Sequence, residues 1–85
     1  MEQQTLNREE SDREHGAQPL DALMQEHGLD NHALVAASGD DHITHKMVSK
    51  ARSGRFLSVR VRLKVLRAYN RATGSEAVLK ELFTY

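Results

Sequence analysis

The stretch "FLSVRVRLKVLRAYN", Phe56 to Asn70, decides the fold, because it carries two periods that exclude each other. From Leu57 to Val65 apolar and polar residues alternate, with Leu57, Val59, Val61, Leu63 and Val65 set against Ser58, Arg60, Arg62 and Lys64. That is the period of a half-buried strand. Yet Arg60, Lys64, Arg67 and Arg71 keep a helical spacing. At about 100° per residue they fall within an arc of roughly 60°, while Val59, Leu63, Leu66 and, further round, Val65, Ala68, Tyr69 and Ala72 take the rest. The alternation fails at Leu66 and leaves "RAYNRA" unexplained, whereas Ser58 in front supplies an N-cap and Gly74 behind a C-cap. The segment therefore predicts a helix with a cationic stripe. Arg62 alone sits among apolar neighbours in it, and must snorkel out or find a partner such as a carboxylate or a helix C-terminus.

The flanks predict further helices. Pro19 suits a first helical position, and "PLDALMQEH" places Leu20, Leu23, Met24 and His27 on one face before Gly28. Asp30 is an N-cap for "NHALVAAS", with Leu34, Val35 and Ala37 inward and Gly39 at its end. "GDDH" has turn chemistry. Thr44 caps "HKMVSKARS", whose apolar positions are Met47, Val48 and Ala51 and which Gly54 stops. A last helix, "EAVLKELF", is expected to follow Ser75 and to pack Val78, Leu79, Leu82 and Phe83 back onto the rest. Residues 1–17 hold only Leu6 and Ala17 as apolar residues after Met1, too few to offset the entropy of ordering, and read as a disordered acidic arm before a domain over 18–85.

Eighty-five residues with 39% hydrophobic content make one small domain. The absence of cysteine excludes a disulfide framework and thiolate metal sites, and fits a reducing cytoplasm. No apolar run has the length of a membrane span or a secretory signal, so neither is expected. The zero net charge conceals a division. Residues 1–41 carry ten acids against Arg8 and Arg13, a net −8, whereas 42–75 carry nine lysines and arginines with no acid. An acid-free basic block is the footprint of a surface that meets a polyanion.

Within that block the segment "LDNHALVAASGDDHITHKMVSKARSGR" resembles the Cro and repressor type of helix-turn-helix found in phage and bacterial regulators. That family has a Leu-Ala pair, a turn glycine, an apolar residue, a Ser or Thr cap, an apolar residue four further on and a closing glycine. Leu34 and Val35, Gly39, Ile43, Thr44, Val48 and Gly54 fill those places, and the resemblance covers 19 to about 74. Two departures stand out. Val35 replaces the family's alanine, and three residues, Asp40, Asp41 and His42, lengthen the turn. The resemblance implies an all-α, compact five-helix, lambda-repressor-like domain that binds duplex DNA through a recognition helix at about 45–53, and a transcriptional regulator.

By position in the family pattern, His45, Lys46 and Lys50 are expected to read bases, since lysine and imidazole can donate to guanine O6 and N7. Met47 packs in the core or touches a thymine methyl, the core being favoured. Asn31 stands where the family puts a glutamine that grips phosphate. Thr44, Ser53, Arg55 and Arg60 are the other phosphate candidates, with Ser58 as a further neutral donor. Lys64, Arg67 and Arg71 form a solvated face or make direct contacts, and in either case add long-range attraction. The resemblance also implies a homodimer, for which Leu82, Phe83 and Tyr85 offer the one apolar seam. An adaptor whose basic face docks an acidic protein or RNA is the alternative, and the acidic arm folding over that face is a further one. The pairs His42 with His45 and His27 with His32 show no metal-site signature, so no metal or cofactor is expected. Nor is catalysis or a small-molecule substrate: there is no phosphate-binding glycine loop, no cysteine and no paired carboxylate in the core.

Overall fold

A computed structural model describes residues 15–85, so the expected acidic arm lies outside the described residues up to position 14. Among the described residues five α-helices follow one another: α1 (Pro19–Glu26), α2 (Asn31–Ala37), α3 (His45–Ser53), α4 (Val59–Thr73) and α5 (Leu79–Leu82). A 3-10 turn, Gly39–Asp41, lies between α2 and α3, and no strand occurs among the described residues.

The ambiguous stretch is a helix, closed at both ends as its caps predict. Ser58 Oγ accepts from the Val61 amide at 3.3 Å, and Gly74 takes the left-handed conformation that ends α4. Val65, Leu66, Ala68 and Tyr69 are buried, which gives α4 the face on which α2, α3 and α5 pack. Leu20, Met24, Leu34, Val48, Val65 and Leu82 are the largest fully enclosed side chains, with contributions from every helix. Thr44 and Asp30 cap as expected, accepting from the amides of Met47 and Ala33. Gly54 closes α3 with φ +91°, and a Cβ there would collide with the Gly16 backbone, so this glycine is required twice over.

Arg62 does not snorkel. Its Nε donates to the Leu57 carbonyl at 3.1 Å and its Nη1 to the Tyr85 carbonyl at 2.6 Å, with the guanidinium 4.5 Å above the Tyr85 ring. The misfit of the sequence pattern thus ties the start of α4 to the last residues of the chain. Backbone oxygens and a ring face hold it, rather than a side-chain carboxylate.

Several boundaries differ from expectation. The last helix begins at Leu79 rather than just after Ser75, because the Asn70 amide pairs with both backbone groups of Ala77, at 2.9 and 3.1 Å, and holds that residue outside the helix. Ser75 bonds the Thr73 hydroxyl instead of capping a helix. Val78 is consequently left exposed, while Leu82 and Phe83 are buried. The expected dimer seam therefore does not exist as such: two of its three residues belong to the monomer's own core. Helix α2 stops at Ala37, and Gly39 opens the 3-10 turn rather than ending α2. His27 is exposed and meets the Tyr69 ring edge-on at 5.9 Å instead of facing the core.

Structure also begins before Pro19. The His15 amide donates to the Gly54 carbonyl at 2.7 Å, and Gln18 is buried, its Nε2 donating to the Gly16 carbonyl and its Oε1 accepting from the Thr84 amide at 2.6 Å. Residues 15–17, assigned above to the arm, are seated on the domain. Among the described residues no helix is long and apolar enough to cross a membrane.

Candidate nucleic-acid interface

The surface that could meet a polyanion is built on α3. Val48 and Ala51 face the core and Met47 is half-buried against it, which fixes the rotation of the helix and sends His45, Lys46 and Ser49 outward. Lys50 is half-exposed one turn beyond Lys46. Neither lysine has a side-chain partner among the described residues. The Thr44 cap leaves the remaining first-turn amides of α3 unpaired within the helix, so this end carries a partial positive charge of its own. Together these give a helix end lined with donors.

Two networks hold α3 in place. On one side Arg52 reaches back to Asp21 of α1 at 2.6 Å and to Asn31 Oδ1 of α2 at 2.8 Å, and Asn31 Nδ2 donates to Ser49 Oγ at 2.8 Å. The chain Asp21, Arg52, Asn31, Ser49 crosses three helices. It commits the Asn31 amide to intramolecular bonds. On the other side the lengthened turn is clasped by α4. Asp41 accepts from Arg67 through both oxygens, at 2.8 and 2.9 Å, and Arg71 donates to the carbonyls of Ser38 and Ala37. The Arg67 hydrogen bond, aided by the charges of Arg67, Arg71 and Lys64 against a smaller desolvation cost, holds the Asp41 carboxyl below its ordinary range.

Half of the cationic stripe is therefore occupied. Arg67 and Arg71 anchor the extra residues of the turn, so their charge is partly neutralised where Asp41 stands. Arg60 is exposed near the start of α4, without a partner among the described residues, and Lys64 lies half-exposed one turn on. Arg55 is exposed beyond Gly54, its carbonyl accepting from the Tyr85 hydroxyl at 3.0 Å. Burial raises the Tyr85 phenol above its ordinary pKa, against smaller opposing effects of the Leu57 amide and Arg62. Ser53 donates to the Lys50 carbonyl at 3.3 Å, while the Thr44 hydroxyl, accepting as a cap, keeps its own proton for a second partner.

Of the expected site residues, His45, Lys46 and Lys50 share one helix, with Thr44 at its entry and Ser53 and Arg55 at its exit. Asn31 joins them through Ser49. Arg60 belongs to the next helix. Three features escaped the sequence pattern. Arg52 and Asp21 form an ion pair across 31 residues, which no local period announces. His32 stacks on His45, ring centroids 5.8 Å apart, and this replaces both histidine pairings considered from sequence. Gln18, a polar residue ahead of the first expected helix, is buried and bonds Thr84. Among the described residues no group of three or more side chains could hold a metal ion.

No protein-family model, curated protein or solved structure matches the chain.

Proposed function

We propose that the protein binds duplex DNA in the manner of a Cro/repressor-like helix-turn-helix domain, with α3 as the recognition helix, and that it regulates transcription. One observation carries the reading: His45, Lys46 and Lys50 project together from a helix whose other face is locked into the core, with no acid paired to them among the described residues. A helix of this kind fits a major groove about 12 Å wide and presents its N-terminal side chains to base edges. Arg60 and Arg55 flank it as phosphate contacts, with Thr44 and Ser53 as neutral donors, and Asn31 supports α3 through Ser49 in addition to any contact of its own. The lengthened turn is compatible with the reading because Arg67 and Arg71 hold it as a defined structure.

Selection from a random duplex library, followed by amide-shift titration with the selected duplex, tests the proposal. The expected outcome is a defined motif and shifts concentrated in residues 44–55. Recovery of no motif, with α3 amides unmoved, overturns it.

A further inference from the structure

A cavity of about 540 Å³ opens where α1, the second half of α4 and the approach to α5 meet, lined among the described residues by Leu23, Tyr69, Ser75, Glu76, Ala77 and Glu81. That volume falls within the range of small-molecule sites, about 300–1,000 Å³. No residue of α3 borders the cavity, so it is separate from the candidate nucleic-acid interface.

One wall is the segment that stays outside α5. Asn70 pins Ala77 at 2.9 and 3.1 Å, the Thr73 hydroxyl donates to Ser75 at 2.7 Å, and Glu81 Oε1 accepts from the Val78 amide at 2.8 Å. The concavity is thus preformed, which spares a ligand the cost of ordering it. Glu81 commits one oxygen to this bond and keeps its second for another partner.

The lining favours a cation. Glu76 and Glu81 bring two carboxylates, and neither a lysine nor an arginine stands among the lining residues. Two exposed carboxylates alone are a solvated rim; Tyr69 is a second and independent feature. It is only 3% exposed, and its hydroxyl has no hydrogen-bond partner among the described residues. No unpaired side-chain oxygen there is sealed from solvent, so this hydroxyl retains an opening, and the cavity that Tyr69 borders provides one. A hydroxyl so nearly enclosed ordinarily has a partner. An ammonium N–H supplies it, donating to the phenol oxygen while the two carboxylates balance the charge. Leu23 and Ala77, both half-buried, offer apolar surface to the rest of such a molecule.

We propose that this cavity binds a small primary amine on an apolar body, its ammonium held by Glu76, Glu81 and the Tyr69 hydroxyl and its hydrocarbon against Leu23 and Ala77. An anion is repelled by the same carboxylates, and a neutral molecule of equal size leaves them without a counter-charge.

Phenethylammonium is the probe, with 2-phenylethanol and 3-phenylpropionate as its neutral and anionic analogues, each titrated into the full chain while the methyl resonances of Leu23 and Ala77 are followed against those of the exposed Val59. The expected result is saturable shifts at Leu23 and Ala77 with the ammonium, several-fold weaker binding of the alcohol and none of the carboxylate. Glu76→Gln combined with Glu81→Gln should weaken the ammonium several-fold and bring it level with the alcohol, as expected for exposed charges worth up to about 1 kcal/mol each. Tyr69→Phe, which keeps the ring and deletes the hydroxyl, should also weaken it. Equal affinity for ammonium and alcohol in the natural chain overturns the proposal, as do shifts no larger at Leu23 and Ala77 than at Val59. Undiminished binding by the doubly substituted chain overturns it too, and because both glutamates are exposed that variant is expected to fold even if Tyr69→Phe does not. No duplex enters the measurement, so its outcome is independent of the DNA reading.

Discussion

At the scale of single residues, charge counts for less than what each charge touches. Arg62 and Arg60 are two positions apart, yet one guanidinium is spent on the Leu57 and Tyr85 carbonyls and the other faces solvent. On the proposed reading Lys46→Ala costs about 1–3 kcal/mol on the selected sequence and relaxes its specificity, whereas Arg60→Ala weakens all sequences alike and lowers the salt slope by roughly one. Fluorescence titration at several salt concentrations measures both. His42 shows a backbone case. It is exposed and takes a left-handed conformation, φ 52° and ψ 48°, which β-branched side chains resist and asparagine tolerates. Accordingly, His42→Val should lower stability by about 1–2 kcal/mol in urea unfolding, while His42→Asn leaves it within about 0.5 kcal/mol.

At the scale of elements, α4 acts as a clamp on the turn between α2 and α3. Its hold depends on Asp41, whose carboxyl is held below its ordinary range because Arg67 bonds the ionised form. A depressed carboxylate contributes stability that is full above its unfolded pKa and fades as pH falls through the folded value. The melting temperature of the natural chain should therefore exceed that of Asp41→Asn by a constant margin above about pH 5, with the margin shrinking below pH 4. A margin independent of pH would dissociate Asp41 from the clamp. The element α5 shows how a side chain can overrule a local preference. "EAVLKELF" has the spacing of a two-turn helix, but Asn70 bonds Ala77 as a strand neighbour would, and only Leu79–Leu82 remains helical.

At the scale of the whole molecule, Gln18 joins the two ends of the described chain to each other, and Arg62 joins its last residue to its middle. Gln18→Ala leaves the Thr84 amide without its partner, and a loss of about 1–3 kcal/mol is expected, with faster hydrogen exchange at Thr84. Unaltered exchange there would show that the link is dispensable. The local features were legible from sequence because they depend on residues within a few positions: the caps Asp30, Thr44 and Ser58, the stops Gly54 and Gly74, and the helical stripe that outweighed the strand alternation. The buried cores of α3 and α4 were legible for the same reason, since a period of 3.6 sorts side chains before any partner is known. What only the tertiary structure decided are the pairings across long separations: Asp21 with Arg52, Asp41 with Arg67, Gln18 with Thr84, His32 with His45. Those pairings choose which cations are spent inside the fold and which remain on its surface. A sequence states how many charges a chain has, but their availability depends on distances that exist only after helices pack.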